Sequence, residues 1–156
     1  GDTEAALVEL AAIEALEPQV DEIFMGNVYP ARDLLEIAKS LLRGEMAYRA
    51  GDAANAVLAF EEAVTLQDAL PYTEPPFWYY PTRQSLGAAL LASDRAAEAQ
   101  VVFEADLEQY PMNGWSMFGL AEALRRQGDE AGAEQMMTRF ETVWQFADVS
   151  LATSIL

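Results

Sequence analysis

One pattern recurs three times along this chain and constrains its fold more than any other feature. Each copy has a small residue in a first helix-like stretch, then a short polar turn, then an alanine followed four positions later by a bulky apolar residue. The copies cover residues 41–66, 85–111 and 118–144. Such a repeat predicts a helix–turn–helix unit that stacks on its neighbours, because one unit alone leaves an apolar face bare.

The copies are separated by fixed intervals. The small residues Gly87 and Ala121 are 34 positions apart, and the alanines that follow them keep the same spacing. From Gly44 to Gly87 the interval is 43, which is one interval of 34 with nine extra residues. We therefore predict an insertion of nine residues, placed before residue 81.

The small residues have a packing explanation. A glycine or alanine in the first helix lets the second helix come close, because no bulky side chain separates the two backbones. The bulky residue of the second helix, which is Phe60, Phe103 or Met137, then fills the gap between repeats. Two of the turns contain Gly-Asp, in which the glycine ends one helix and Asp52 or Asp129 caps the next.

This pattern resembles the tetratricopeptide repeat (TPR) family, whose units carry a Leu-Gly pair in helix A and an A-x3-F element in helix B. The first copy departs from the family pattern at Arg43 and Asp68, and the third departs at Ala121 and Phe140. The resemblance covers about residues 37–144. The second copy matches best, with Leu86, Gly87, Leu90, Ala99, Phe103 and Pro111.

The resemblance implies an all-α fold, a right-handed α-solenoid of antiparallel helix pairs with about three repeats and flanking helices. Helical spacing before the repeats predicts a helix that ends at Pro18, followed by a turn at Gly26-Asn27. The expected parts of this single domain are a flanking helix and turn at 1–30, repeat 1 at 31–68, the insertion at 69–80, repeat 2 at 81–113, repeat 3 at 114–141 and an end helix as a cap at 142–156.

The insertion contains the sequence EPPFWYYP at residues 74–81. Because Tyr80 precedes a proline, it should leave the helical region, and helix A of the second copy should begin at or after Pro81. Four consecutive aromatic rings cannot all point one way. We expect two to fill the gap opened by the insertion and two to face the groove beside Trp115 or Phe118; a purely packed loop is the alternative interpretation.

Composition argues against several classes of function. The net charge of −17 repels nucleic acid and anionic membranes and attracts basic partners. Cysteine and histidine are both absent, so thiol chemistry, imidazole chemistry and zinc binding are not expected. The sequence has no P-loop, dinucleotide fingerprint or Ser-His-Asp set, and we expect neither an enzyme nor a cofactor. No apolar run has the length of a membrane span.

In TPR proteins the A helices line a concave groove that commonly holds an extended peptide. By position, the resemblance places groove residues of this chain at Leu41, Glu45, Tyr48, Arg49, Gln84, Ala88, Leu91, Trp115, Phe118, Glu122 and Arg125. With the insertion included, the residues predicted to bind a peptide or partner are Tyr48, Arg49, Trp78, Tyr79, Gln84, Trp115, Phe118 and Arg125.

Two details narrow that prediction. Family members that clamp the C-terminal carboxylate of a chaperone use Lys and Asn in the groove, so this activity is not expected of a chain with Glu45, Gln84, Ala88 and Glu122 there. Arg49 and Arg125 either contact a carboxylate or backbone of the partner or form ion pairs with neighbouring acids.

The leading hypothesis is a non-catalytic protein–protein interaction scaffold that binds a peptide or partner helix in its concave groove. The alternative is self-assembly, or intramolecular docking within a larger protein, through the N-terminal helix or residues 142–156. A carboxylate-only enzyme and an acidic decoy of nucleic acid are further alternatives. The region of the insertion is also similar to the C-terminal part of larger bacterial repeat proteins, which implies a fragment. We expect a cytoplasmic location, and the bacterial periplasm stays open.

Overall fold

A computed structural model describes residues 3–23 and 29–155, and within those ranges the chain is all-α, as predicted, with no strand. The chain divides into two compact units, Gly1–Thr82 (unit 1) and Arg83–Leu156 (unit 2). The helices are α1 Thr3–Ile23, α2 Ala31–Arg49, α3 Ala53–Ala69, α4 Thr82–Ala92, α5 Ala96–Gln109, α6 Gly114–Arg126 and α7 Glu130–Trp144.

The hairpin of α2 and α3 forms the centre of unit 1. Between the two helices Gly51 has a positive φ of 78°, and the side chain of Asp52 accepts a hydrogen bond from the backbone N–H of Asn55, which confirms the predicted stop and cap. The ring of Phe60 is 0 % exposed and lies on Gly44, where a Cβ would overlap it. The glycine is therefore what allows the two helices to approach each other.

Helix α1 packs on α2 through a stripe with helical spacing and through ion pairs. Lys39, which is 5 % exposed, binds Glu17 at 2.8 Å and Glu36 at 2.6 Å. Burial works against the charge of Lys39, but the hydrogen bonds to both carboxylates outweigh it and raise its pKa. The half-buried stripe of α1 consists of Ala6, Leu10, Ile13, Glu17 and Val20.

The prediction that Pro18 ends the first helix is wrong, because α1 continues through it to Ile23. Proline removes one backbone hydrogen bond and displaces nearby carbonyl groups. The side-chain amide of Gln19 donates to the carbonyl oxygen of Ala15 at 3.1 Å, which supplies one donor at this point. The stripe that faces α2 also continues to Val20, so packing holds the turn after the proline. The predicted turn at Gly26-Asn27 lies outside the described residues.

Residues 70–81 form the loop between α3 and α4, where the insertion was predicted. The Gln67 side chain closes this loop through three hydrogen bonds. Its Oε1 accepts from the backbone N–H of Thr82 at 3.0 Å and from the Thr82 hydroxyl at 2.6 Å. Its Nε2 donates to the carbonyl oxygen of Tyr80 at 3.1 Å. Helix α4 begins at Thr82, as predicted. Phe77 meets Tyr29 edge to face, with ring centroids 5.2 Å apart.

In unit 2 a single ring lies between two glycines. Phe103 of α5 is 0 % exposed, and its ring covers both Gly87 of α4 and Gly119 of α6. The prediction that Phe103 fills the gap between repeats is confirmed. Gly119 was not predicted to take part, because Ala121 occupies the glycine position of the repeat in the third copy. Two missing side chains let three helices converge on one ring.

The hairpin of α6 and α7 repeats the turn chemistry of unit 1. Gly128 has a φ of 83°, and the Asp129 side chain accepts from the N–H of Gly132 at 2.9 Å. The predicted gap filler Met137 is only half-buried. Phe140, three residues later, is buried instead because its ring packs against aromatic rings of α6 and α7.

The prediction of an end helix within 142–156 is wrong. Helix α7 ends at Trp144, and residues 145–155 are irregular. This segment nevertheless reaches back to α4, because the Ser154 hydroxyl donates to the carbonyl oxygen of Gln84 at 3.3 Å. None of the helices in the described ranges combines the length and apolar character needed to cross a membrane.

Candidate functional site

One face of α6 carries three of the eight predicted binding residues. Trp115, Phe118 and Arg125, together with Glu122, are spaced three or four positions apart and therefore share this face. The helix starts where it does because Asn113 is its cap, with its side-chain oxygen accepting from the backbone N–H of Trp115 at 3.1 Å. We call these four residues the α6 face.

Aromatic rings of α7 support the N-terminal half of the α6 face. Trp115 meets Trp144 edge to face at 5.6 Å between ring centroids, and Phe118 meets Phe140 at the same distance. Phe140 in turn stacks on Trp144 at 5.3 Å. Gly114 lies under Trp144, and a Cβ there would overlap the indole. The four rings fix one another, so Trp115 and Phe118 are held in place while remaining partly exposed.

The ring partners of Trp115 and Phe118 that the structure shows come from α7, and the expectation that rings of the insertion lie beside them stays a prediction. The repeat pattern does not predict the contacts with α7, because Trp144 lies outside the helix B positions that define the repeat. The signal that existed was helical spacing, since Phe140 and Trp144 are four positions apart.

The C-terminal half of the α6 face is ionic. Glu122 accepts from Arg125 at 2.9 Å and from Arg126 at 2.8 Å, so Arg125 forms the predicted ion pair with a neighbouring acid. The hydrogen bond from Arg126 is the main reason that the pKa of Glu122 is lowered. Arg126 also donates to the carbonyl oxygen of Leu91 at 2.7 Å, at the end of α4. Both guanidinium groups remain partly exposed.

The prediction for Gln84 is wrong, because its side chain does not reach the surface. Gln84 is 2 % exposed, and its Oε1 accepts from Asn113 at 3.0 Å. Ala88 and Leu91, the other groove positions assigned to α4, are 3 % and 7 % exposed. Residues 84–91 of α4 are all buried, whereas α6 keeps one open face.

A buried polar cluster lies beside Gln84 and was not predicted. Asp106 is 1 % exposed, and its Oδ2 accepts from the Ser116 hydroxyl at 2.6 Å and from the Asn113 amide at 2.7 Å. We call Gln84, Asp106, Asn113 and Ser116 the Asp106 cluster. Burial raises the pKa of Asp106, against the opposing effects of the hydrogen bonds from Ser116 and Asn113 and of the Arg83 charge.

A signal for this cluster was present in the sequence. Asp106 occupies the helix B position where the first copy has Ala63 and the third has Phe140. An ionisable residue at a position that is otherwise apolar requires buried partners. In the part of the chain that the structure describes, Oδ1 of Asp106 has no hydrogen-bond partner, so the cluster is only partly satisfied.

Unit 1 contains the other four predicted binding residues. Arg49 binds Glu45 at 3.3 Å, which is again the predicted ion pair, and Tyr48 is half-buried. Burial raises the pKa of Glu45, although Arg49 opposes this effect. A cavity of about 460 Å³ lies between α1 and α2 and is lined by Thr3, Ala6, Leu42, Glu45, Met46, Ala47, Arg49 and Ala50.

The loop of unit 1 does not separate into two buried and two exposed aromatic residues. Tyr79 is 85 % exposed, while Phe77, Trp78 and Tyr80 are half-buried. The indole nitrogen of Trp78 is buried and has no hydrogen-bond partner among the described residues. Tyr79 is therefore the one ring of the four that is fully available at the surface.

Comparison with known proteins does not assign the chain to a family. No family model matches it, and neither curated proteins nor solved structures give a significant match. Among the described residues, no group of three or more acidic side chains is arranged to hold a metal ion.

Proposed function

We propose that this chain is a TPR-like interaction module, a right-handed α-solenoid whose A helices bind an extended peptide or a partner helix without catalysis. The observation that carries the proposal is the α6 face. It presents two partly exposed rings that α7 holds in place, next to guanidinium groups that are partly exposed. Rigid aromatic rings and arginine are the residue types that dominate protein–protein binding energies.

The recurring joint between helices supports the solenoid part of the proposal. In both units a phenylalanine of helix B covers the glycine of helix A, at Gly44–Phe60 and Gly87–Phe103. These pairs occupy equivalent positions of the first and second copies. Equivalent joints at equivalent positions are what a repeat architecture requires.

The charges of the chain favour a partner that is basic overall and also carries apolar or aromatic side chains. The overall charge of −17 attracts basic segments over long range. At the α6 face, however, Glu122 already binds two arginines, so a carboxylate of the partner competes with Glu122 for Arg125. We therefore expect a peptide that is basic overall and places an apolar or aromatic side chain on Trp115 and Phe118.

A peptide array followed by binding titrations tests the proposal. Trp115→Ala should weaken binding of the selected peptide by about 10-fold or more, as expected for an aromatic anchor worth at least 1–2 kcal/mol. Arg125→Gln should weaken it less. The matched control is Val101→Ala, a residue of α5 that is 64 % exposed and lies outside the α6 face. Unchanged affinity in both α6 variants, with wild-type melting, would remove the proposed site.

A second candidate function is self-assembly or docking through α1. This helix exposes Leu7 at 52 %, Val8 at 62 % and Leu16 at 47 %. Exposed apolar side chains on a helix are typical of an interface. Light scattering over a range of concentrations tests this candidate, with Val8→Glu as the disrupting variant. A monomer at every concentration counts against self-assembly.

A further inference from the structure

The irregular segment after α7 is attached to unit 2 at two points. The indole N–H of Trp144 donates to the carbonyl oxygen of Val149 at 2.8 Å. Farther along, the Ser154 hydroxyl donates to the backbone carbonyl of Gln84 in the first turn of α4. Ser154 and Ile155 are 2 % and 6 % exposed, whereas Phe146, just after α7, is 90 % exposed. The end of the segment is therefore bound, while its beginning is solvated.

Local hydrogen bonds allow Ile155 to be buried without a helix. The hydroxyl of Thr153 accepts from the backbone N–H of Ile155 at 3.1 Å and donates to its carbonyl oxygen at 2.9 Å. Both backbone polar groups of Ile155 are thus satisfied by one side chain, which removes most of the cost of burying an irregular backbone. The side chain of Ile155 is then free to be buried as an anchor.

The segment contacts α4 at one of the positions where the repeat resemblance expects a ligand. The groove positions of α4 are Gln84, Ala88 and Leu91, and the equivalent positions of α6, 34 residues later, are Phe118, Glu122 and Arg125. The α4 set is buried, whereas the α6 set is half-buried or exposed. The contact from Ser154 to Gln84 shows that residues of this segment cover part of α4.

We infer that residues 149–155 are an intramolecular ligand, which occupies the α4 end of the partner-binding surface and must leave before a partner engages both α4 and α6. This inference rests on the proposed function. The partner that fits the α4 end is an extended segment with a small hydroxylated residue followed by a β-branched aliphatic residue, as in Ser154-Ile155. An extended peptide that presents a hydroxyl to a helix carbonyl reproduces the observed contact.

The test uses a labelled synthetic peptide with the sequence of residues 147–155, titrated into the full chain. Ile155→Asp should release the segment, because a buried carboxylate at this position has no partner to compensate it. If the segment occupies its site in nine molecules of ten or more, the released variant should bind the peptide at least about 10-fold more tightly than the wild type. The matched control is Phe146→Asp, which places the same charge on an exposed side chain and should behave as the wild type does.

Three outcomes would overturn the inference. In the first, the peptide binds the wild type and Ile155→Asp with equal affinity. In the second, it does not bind Ile155→Asp although this variant melts as the wild type does. In the third, a peptide whose Ile155 is replaced by Asp binds the variant as well as the unchanged peptide does. A partner peptide that loses affinity in Trp115→Ala but binds Ile155→Asp and the wild type equally leaves the proposed function standing and removes only this inference.

A second measurement covers the case in which Ile155→Asp does not fold. A protease site inserted between Phe146 and Val149 is cleaved in the folded chain, so the segment remains in place without a covalent link. Exchange of the cleaved segment for the labelled peptide supports the inference. A chain that stays folded and never exchanges the segment shows that residues 149–155 are a permanent part of the core.

Discussion

The joint between helices is built from the same residues in the two units but is supported differently. In unit 1 the ring of Phe60 lies on one glycine, Gly44. In unit 2 the ring of Phe103 lies between two, Gly87 and Gly119. Both rings are fully buried, but a ring that meets one helix backbone this closely has more room to adjust than a ring that meets two. Equivalent positions of a repeat therefore differ in how much change they tolerate.

A second difference between the units lies three residues after the phenylalanine of helix B. Ala63 of unit 1 is 0 % exposed and purely apolar, while its counterpart Asp106 is 1 % exposed and holds the Asp106 cluster together. Unit 1 instead places its buried charge on Lys39, which joins α1 to α2. Unit 2 therefore uses a buried ionisable group to connect the helices of its core, whereas unit 1 uses one to attach the flanking helix α1.

The largest expected effect comes from removing the two rings. Phe103→Ala should lower the free energy of unfolding by about 3–5 kcal/mol, near the upper end of that range, because the cavity opens between two helix backbones. Phe60→Ala should fall near the lower end. Denaturant unfolding measures both, with Val101→Ala as an exposed control that should stay within about 0.5 kcal/mol. Equal losses in the two phenylalanine variants would contradict the distinction drawn between the joints.

Adding one methyl group to each glycine sharpens the same comparison. Gly87→Ala should destabilise the fold by about 1–3 kcal/mol, because the ring atoms of Phe103 that meet the new Cβ also contact Gly119, which leaves the ring little room to move. The gain in helix propensity of about 1 kcal/mol applies to both positions, so Gly44→Ala should cost less only because Phe60 meets one glycine and has more room to shift. Thermal melts measure the loss of stability in the two variants. A larger loss in Gly44→Ala than in Gly87→Ala would contradict the expected order.

The Asp106 cluster predicts a pH dependence that Ala63 cannot produce. Because the folded pKa of Asp106 is raised, the folded chain binds the proton more tightly than the unfolded chain. The resulting stabilisation is complete below the unfolded pKa of about 4 and is lost as the pH rises through the folded pKa. Asp106→Asn should remove this decline from unfolding curves measured between about pH 3 and about pH 8.

Ser116→Ala provides the matched test of this cause. It removes a hydrogen bond that lowers the pKa of Asp106. The pH range of the decline should therefore move upward in this variant, whereas it should disappear in Asp106→Asn. A decline that is identical in the wild type and both variants would show that other groups produce it.

The smallest expected effect is confined to α1. Lys39→Met removes the ion pairs with Glu17 and Glu36 but keeps the length of the apolar stem. Hydrogen exchange should show faster exchange in α1, with α3 unchanged. Arg43→Met is the control, because its ion pair with Glu14 is longer, at 3.2 Å, and lies at the surface. Equal acceleration of hydrogen exchange in both variants would mean that the burial of Lys39 does not strengthen the attachment of α1.

Much of the helical framework was predictable because local residues specify it. Gly51 and Gly128 adopt the left-handed conformation that their turns require, and Asp52 and Asp129 cap the helices that follow. Arg125 likewise lies within one helical turn of Glu122, so its ion pair followed from spacing. These features depend on residues at most a few positions apart.

Three of the errors involve contacts that are distant in sequence. Pro18 does not end α1, because the stripe of α1 keeps its contact with α2 beyond it. Gln84 lies at a groove position but is enclosed by Asn113, which is 29 residues away. Residues 145–155 form no helix, and Ser154 instead contacts α4 at a separation of 70 residues. Local propensity and repeat position contain no information about such partners.

The sequence by itself determined the helices, their turns and the glycines on which the phenylalanines pack, because each of these depends on spacing and on the volume of a missing side chain. Only the tertiary structure decided which repeat position stays open. Neighbouring copies share the same pattern, yet the groove positions of α4 are buried and Ser154 contacts its first turn, while the equivalent positions of α6 are half-buried or exposed. Burial depends on which other segments arrive at a surface, and a repeat pattern specifies the surface without specifying what covers it.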